Sequence, residues 1–176
     1  METQPESREH AAYIDIAFDE MPENIRTVYD YWNELRGKRL APTWVEFDMM
    51  KIPPELLPST LIKDVEQNPV AFRYRFYGSQ FVRIWDKEMT GKLTSELDSK
   101  LLAETIHAAL TQFITDKIPT FSMLRMTSDY KAEHLQVQLR LPLSNDGVNV
   151  TNVATIVWHL ADKDQFAKLL SKTSNL

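Results

Sequence analysis

The sequence predicts an α+β fold, with helices gathered on one face of an antiparallel sheet. Three observations carry this. Apolar and polar residues alternate along Ala71–Tyr77 and Leu135–Leu141, the period of a strand. Residues 22–36 and 99–116 instead place apolar residues three and four apart, the period of a helix. Three strand-like runs follow one another near the C-terminus with only short connections, which suits antiparallel neighbours.

The elements follow in chain order. Residues 1–20 read as an acidic, flexible leader, with an extended piece toward Tyr13–Phe18. Pro22 suits the start of a helix. Ile25, Val28, Tyr29, Trp32 and Leu35 then share one face, and Gly37 stops the helix. Residues 38–60 are broken by Pro42, Pro53, Pro54 and Pro58, yet Trp44, Phe47, Ile52, Leu56 and Leu57 are apolar. That pattern describes a loop packed down on the core, with one turn of helix near Pro54–Leu57. Leu61–Val65 is a short strand. In Ala71–Tyr77, Phe72, Tyr74 and Phe76 point one way, and Arg73, Arg75 and Tyr77 the other. A short helix after Gly78 carries Phe81, Val82 and Trp85. Leu102, Ile106, Ala109, Leu110 and Phe113 form the stripe of the long helix. Strands are expected at Thr120–Thr127, Leu135–Leu141 and Val148–Leu160, the last being the longest, with Ser144-Asn145-Asp146-Gly147 turning between the final two. That last strand has apolar residues on both faces, Ala154/Ile156/Trp158 and Val153/Val157, so both faces of the sheet should be covered. Asp162 caps a last helix carrying Phe166, Leu169 and Leu170.

With 176 residues, 43% of them hydrophobic and 26% charged, the chain suits one soluble domain. We set the domain at 21–172, with a tail at 173–176. The formal net charge of −5 belongs to the leader, where Glu2, Glu6, Glu9, Asp15, Asp19 and Glu20 face only Arg8. The rest of the chain balances, with 19 acids and 19 bases, so no phosphate-binding footprint is expected and nucleic acid is not a predicted partner. No apolar run is long enough to span a membrane, and the polar start does not resemble a secretory signal. A cytoplasmic location is expected. The absence of cysteine excludes disulfides, thiolate metal sites, a catalytic thiol and a cysteinyl-flavin photosensor.

Three stretches bear a resemblance to the PAS sensor family, in its branch of small stand-alone bacterial proteins. The first is Tyr31-Trp32-Asn33-Glu34-Leu35-Arg36-Gly37 followed by Ala41-Pro42, Phe47-Asp48, Ile52-Pro53 and Leu56-Leu57-Pro58. The second is Phe72-Arg73-Tyr74-Arg75-Phe76-Tyr77-Gly78-Ser79, running to Met89-Thr90-Gly91, and the third is Leu141-Pro142-Leu143-Ser144 with Gly147. Trp44 stands where the pattern has an arginine, Met49 where it has a proline, and Asp86 where it has a glycine. The resemblance implies a five-stranded antiparallel sheet with helices over one face, a small cavity, and an N-terminal helix outside the sheet that often meets a partner copy. It also implies a sensory or interaction module that signals by contact with a partner, a homodimer being expected, without catalysis of its own.

Candidate site residues follow. Phe76, Trp85, Phe113, Phe121, Met123 and Trp158 are candidates to line a ligand cavity, or simply core. Arg73 and Arg75, sharing a strand face, are a candidate anion site or else an ordinary solvated face with carboxylate partners. Val28, Tyr29 and Trp32 are candidate dimer or partner anchors, or packing for the chain's own sheet. His107 lies on the long helix, where some PAS proteins place a haem ligand. It falls about 100° round from Ile106, at the edge of the stripe, so it reads as a flank histidine and haem is not predicted. His10, His134 and His159 show no metal-ligand spacing, and no metal or cofactor is expected. Two further readings stand beside the sensor. One is a small cone-shaped enzyme of the isomerase or dehydratase kind, which needs a buried carboxylate or a His–Asp pair in its pocket. The other is a ligand-free scaffold. No nucleophile elbow, P-loop, dinucleotide fingerprint or zinc-protease motif is present.

Overall fold

The computed structural model describes residues 10–128 and 131–159 of the chain. Its elements are strand β1 (His10–Asp15), helix α1 (Glu23–Arg36), strands β2 (Thr60–Glu66) and β3 (Ala71–Tyr77), helices α2 (Ser79–Trp85) and α3 (Lys100–Asp116), and strands β4 (Thr120–Ser128), β5 (Lys131–Leu143) and β6 (Asn152–His159). One antiparallel sheet runs in the order β1-β4-β5-β6-β2-β3.

The α+β architecture is as expected, but among the described residues the sheet has six strands, not five. The addition is β1, which lies along β4 from His10↔Thr127 to Asp15↔Ser122. It covers an edge whose backbone groups would otherwise lack partners. It also sends Ile14, and Ile16 just beyond it, into the core. Residues 10–15 therefore belong to the fold rather than to a flexible leader. The extended piece expected at Tyr13–Phe18 lies earlier, at His10–Asp15, and Phe18–Glu20 forms a single 3-10 turn instead.

Both faces of the sheet are covered, as the two-sided β6 requires. On the outer face lie α1 and the proline-broken segment, burying Ile25, Val28, Trp32, Phe47, Ile52 and Leu56 against Ile62, Val137, Leu139, Leu141, Ala154 and Ile156. Trp32 Nε1 donates to the carbonyl of Pro142 at 2.8 Å, tying α1 to β5. The helix ends at Gly37, whose φ of 56° suits glycine. The inner face is covered by α2 and α3.

Strand β6 starts later than the sequence suggests, at Asn152. Asp146 accepts from the backbone N–H of Val148 at 2.8 Å and of Asn149 at 2.7 Å, so 146–149 is held as a turn. Among the described residues the longest strand is β5, not β6. The expected helix after Asp162 lies outside the described residues.

Candidate functional site

The inner face owes its shape to one irregularity. Along β2 and β3, Ile62 pairs with Phe76 but Lys63 pairs with Tyr74, leaving Arg75 as an extra residue in β3. Such a bulge shifts the alternation by one. Phe72 and Tyr74 face inward before it, and Tyr77, not Phe76, faces inward after it. Phe76 is turned onto the outer face with α1.

Between this face and the α2–α3 layer lies a cavity of about 370 Å³. Its wall is largely apolar: Leu61, Phe81, Trp85, Met89, Leu97, Leu102, Ile106, Leu124 and Met126. The polar contributors are Tyr74, Tyr77, Gln136, Ser99 and the pair Lys87 and Asp98. Tyr74 and Tyr77 meet edge to face with ring centroids 5.0 Å apart. Burial pushes the Tyr77 phenol up to about 12, with Glu88 adding to the effect. Tyr74 is raised too, by burial first and then by the neighbouring Tyr77 and Tyr13. Both phenols thus stay neutral, able to donate a hydrogen bond but not to act as bases. Lys87 Nζ lies 2.5 Å from Asp98 Oδ1 and donates to the Glu96 carbonyl at 3.0 Å, bridging the segments after α2 and before α3. Asp98 is 82% exposed at the side chain, so this pair sits at the rim.

Beside the cavity, the same face carries a buried polar band. Thr120, Arg140, Thr155, Leu61 and Tyr77 are successive partners across β4, β5, β6, β2 and β3. Thr120 Oγ1, Arg140 Nε and Thr155 Oγ1 are buried without a hydrogen-bond partner. Lys63, paired with Val153 and Tyr74, is 3% exposed, and Arg140 is 5% exposed. Neither cation has a carboxylate partner among the described residues. Lys63 Nζ leans over the Tyr74 ring at 5.0 Å, and the Arg140 guanidinium lies 4.3 Å from the centroid of the Tyr13 ring on β1. Burial pushes the Lys63 ammonium down to about 7, with the Arg140 charge helping.

The candidate residues divide accordingly. Of the six proposed for the cavity, Trp85 lines it. Phe121 and Met123 are buried on the outer face, with Phe76 and Trp158 packed against the same core. Phe113 belongs to a separate inner cluster with Phe72, Leu110, Val150 and Val153. Arg73 Nε is 2.5 Å from Glu66, and Arg75 Nε is 2.6 Å from Asp64. These guanidiniums are engaged by carboxylates on the neighbouring strand. Arg75 also lies 5.5 Å from the Trp44 ring, a position where an arginine at 44 would repel it. Val28 and Trp32 are spent in the chain's own core, 0% and 1% exposed, and do not offer an interface; Tyr29 is partly exposed. His107 is exposed on α3, its ring edge-on to Phe72 at 5.5 Å, outside the cavity lining. His10 is exposed on β1, and the side chains of His134 and His159 lie outside the described residues. Lys63 and Arg140 are not marked as site residues by the sequence pattern. The available signal was the polar run Gln136, Gln138, Arg140 on a strand whose neighbour β6 is apolar on both faces.

A sheet wrapped on its inner side by short and long helices around a small cavity, with an outlying N-terminal helix, defines a PAS-type fold. The chain belongs to the PAS domain family: the family model described as "PAS domain" matches residues 21–157. Strands β2–β6 begin and almost entirely lie within that span, and β1 precedes it. Neither the curated proteins nor the solved structures contain a significant match. Membership makes the chain a sensory or interaction module. No helix among the described residues is long and apolar enough to cross a membrane.

Proposed function

We propose that this protein is a small-ligand-sensing PAS module that acts in bacterial signalling through contact with a protein partner or a second copy of itself, without catalysis of its own. The observation that carries the reading is the cavity of about 370 Å³, whose size and predominantly apolar wall suit a small organic ligand. The wall also speaks against the isomerase or dehydratase alternative. Its carboxylate is Asp98, exposed and engaged by Lys87, and no histidine lines it among the described residues. The ligand would act by favouring one packing state of the domain over another, and the partner would read that state. Native mass spectrometry of the purified protein, with an absorption scan, tests this. A mass above that of the chain, lost on denaturation, is expected. A bare chain mass, together with no stabilisation by any member of a small-metabolite library, would leave the scaffold reading in its place.

A further inference from the structure

We propose that the ligand is an amphipathic carboxylate, with its anionic head drawn to Lys63 and Arg140 and its apolar body among Leu61, Phe81, Trp85, Leu102 and Ile106. This rests on the small-ligand reading above and narrows it. Two cations buried to nine-tenths or more on one sheet face cost free energy unless a counter-charge answers them. The described residues supply aromatic rings instead of carboxylates, and rings return only part of that cost. Asp15, on the β1 edge of the same face, is exposed and forms no salt bridge with either.

The positions of the cationic heads connect them to the cavity. Tyr74, beneath Lys63 Nζ, is itself a cavity wall. Arg140 reaches Tyr13, whose strand partner is Leu124; Leu124 in turn pairs with Gln136, and both of these line the cavity. The guanidinium thus reaches from its own row to the strand beside the cavity wall; Arg140 and Lys63 do not line the cavity themselves, and an anionic head would meet them at its edge. Around it, Arg140 Nε, Thr120 Oγ1 and Thr155 Oγ1 are three buried polar atoms without partners, on adjacent strands of one row. Buried polar groups are normally hydrogen-bonded, and three orphans beside the Arg140 guanidinium and the Lys63 amine, which an anion would keep protonated, describe a place for an acceptor with negative charge. A carboxylate satisfies both requirements. The apolar wall then selects acids with a hydrocarbon body over small hydrophilic anions.

Isothermal titration of the full chain, refolded from denaturant to remove bound material, with octanoate, 1-octanol, octylamine and acetate provides the test. Octanoate should bind about ten- to hundred-fold more tightly than octanol, the range expected for a charge-assisted hydrogen bond, more tightly than octylamine, whose charge has the wrong sign, and about a thousand-fold more tightly than acetate, which lacks the apolar body. Arg140→Gln should erase the preference for octanoate over octanol while octanol binding persists, and Arg140→Lys should keep part of it. Lys63→Met gives an independent check should the Arg140 variants fail to fold. Equal binding of octanoate and octanol would overturn this proposal and leave the cavity reading intact. Acetate binding as tightly as octanoate, or an octanoate preference untouched in folded Arg140→Gln and Lys63→Met, would also overturn it. If none of the four binds, the carboxylate assignment falls, and the mass measurement above decides separately whether the cavity holds any ligand.

Discussion

Lys63 makes folding stability depend on pH in a direction opposite to that of a salt-bridged lysine. In the folded protein its ammonium is pushed down to about 7, against an ordinary value of 10.5 that the unfolded chain regains. Below about 7 both states hold the proton, and the fold carries the full cost of a buried charge. Between about 7 and 10.5 the folded lysine has released its proton while the unfolded one has not, so stability rises with pH. The slope is about 1.4 kcal/mol per pH unit for one proton, which over this gap amounts to a gain on the order of 4–5 kcal/mol. The rise does not continue indefinitely. Tyr74 and Tyr77 are raised above their ordinary value of 10.0, so above pH 10 the unfolded chain ionises first and stability falls. Urea unfolding of refolded protein, followed by circular dichroism from pH 6 to 10.5, measures the profile. Lys63→Met keeps an unbranched side chain on the inner face and removes the charge. It should abolish the rise, gaining a few kcal/mol at pH 7 and little near pH 10. A flat wild-type profile between pH 7 and 9.5, or the same rise in Lys63→Met, would refute the reasoning. Saturating octanoate should flatten the wild-type rise, because an anion beside Lys63 restores its proton affinity.

Two further substitutions test how the site is held. A Cβ on Gly78 would lie 2.2 Å from the Pro58 carbonyl oxygen and 2.8 Å from that of Thr60, both backbone atoms, at the junction of β3 and α2. Gly78→Ala should therefore cost about 3–5 kcal/mol in urea unfolding; a loss under 1 kcal/mol would show that the junction relaxes easily. Trp32→Phe removes the bond to the Pro142 carbonyl and should cost about 1–3 kcal/mol by the same assay. Hydrogen exchange at α1 should accelerate with it, and unchanged exchange would mean that α1 is held by apolar packing alone.

Periodicity made much of this fold legible because most elements obey one period for most of their length. The stripe Ile25, Val28 and Trp32 lies against the sheet, and the two-sided β6 was a sound sign that both faces are covered. The site was less legible, for two physical reasons. A bulge changes which face every later residue occupies, and nothing in Phe72–Tyr77 announces the extra residue at Arg75. Strict alternation thus places Phe76 on the wrong side of the sheet. The aromatic and sulfur-containing residues Phe121, Met123 and Trp158 fit a cavity by type, yet strand parity turns them toward α1. Side-chain type reports that a residue is buried, and not against which layer. Asp86 illustrates the converse case. The glycine expected there from the family pattern corresponds to a left-handed turn, and Asp86 adopts it with φ 52° and ψ 36° at the end of α2.

The polar band and the cavity wall then explain each other. A sheet face under helices should be apolar throughout if packing were its only task, and the wall of Leu61, Leu124 and Met126 follows that rule. Lys63, Arg140, Thr120 and Thr155 do not, and leaving their charges and hydroxyls without full partners lowers stability at neutral pH. Substitutions that break a packing rule without structural compensation are expected at functional sites. On the carboxylate proposal, that cost is the source of ligand selectivity: an anion bound at Lys63 and Arg140 would return the stability the fold gives up, and that difference would be the free energy available to change what a partner meets on the surface.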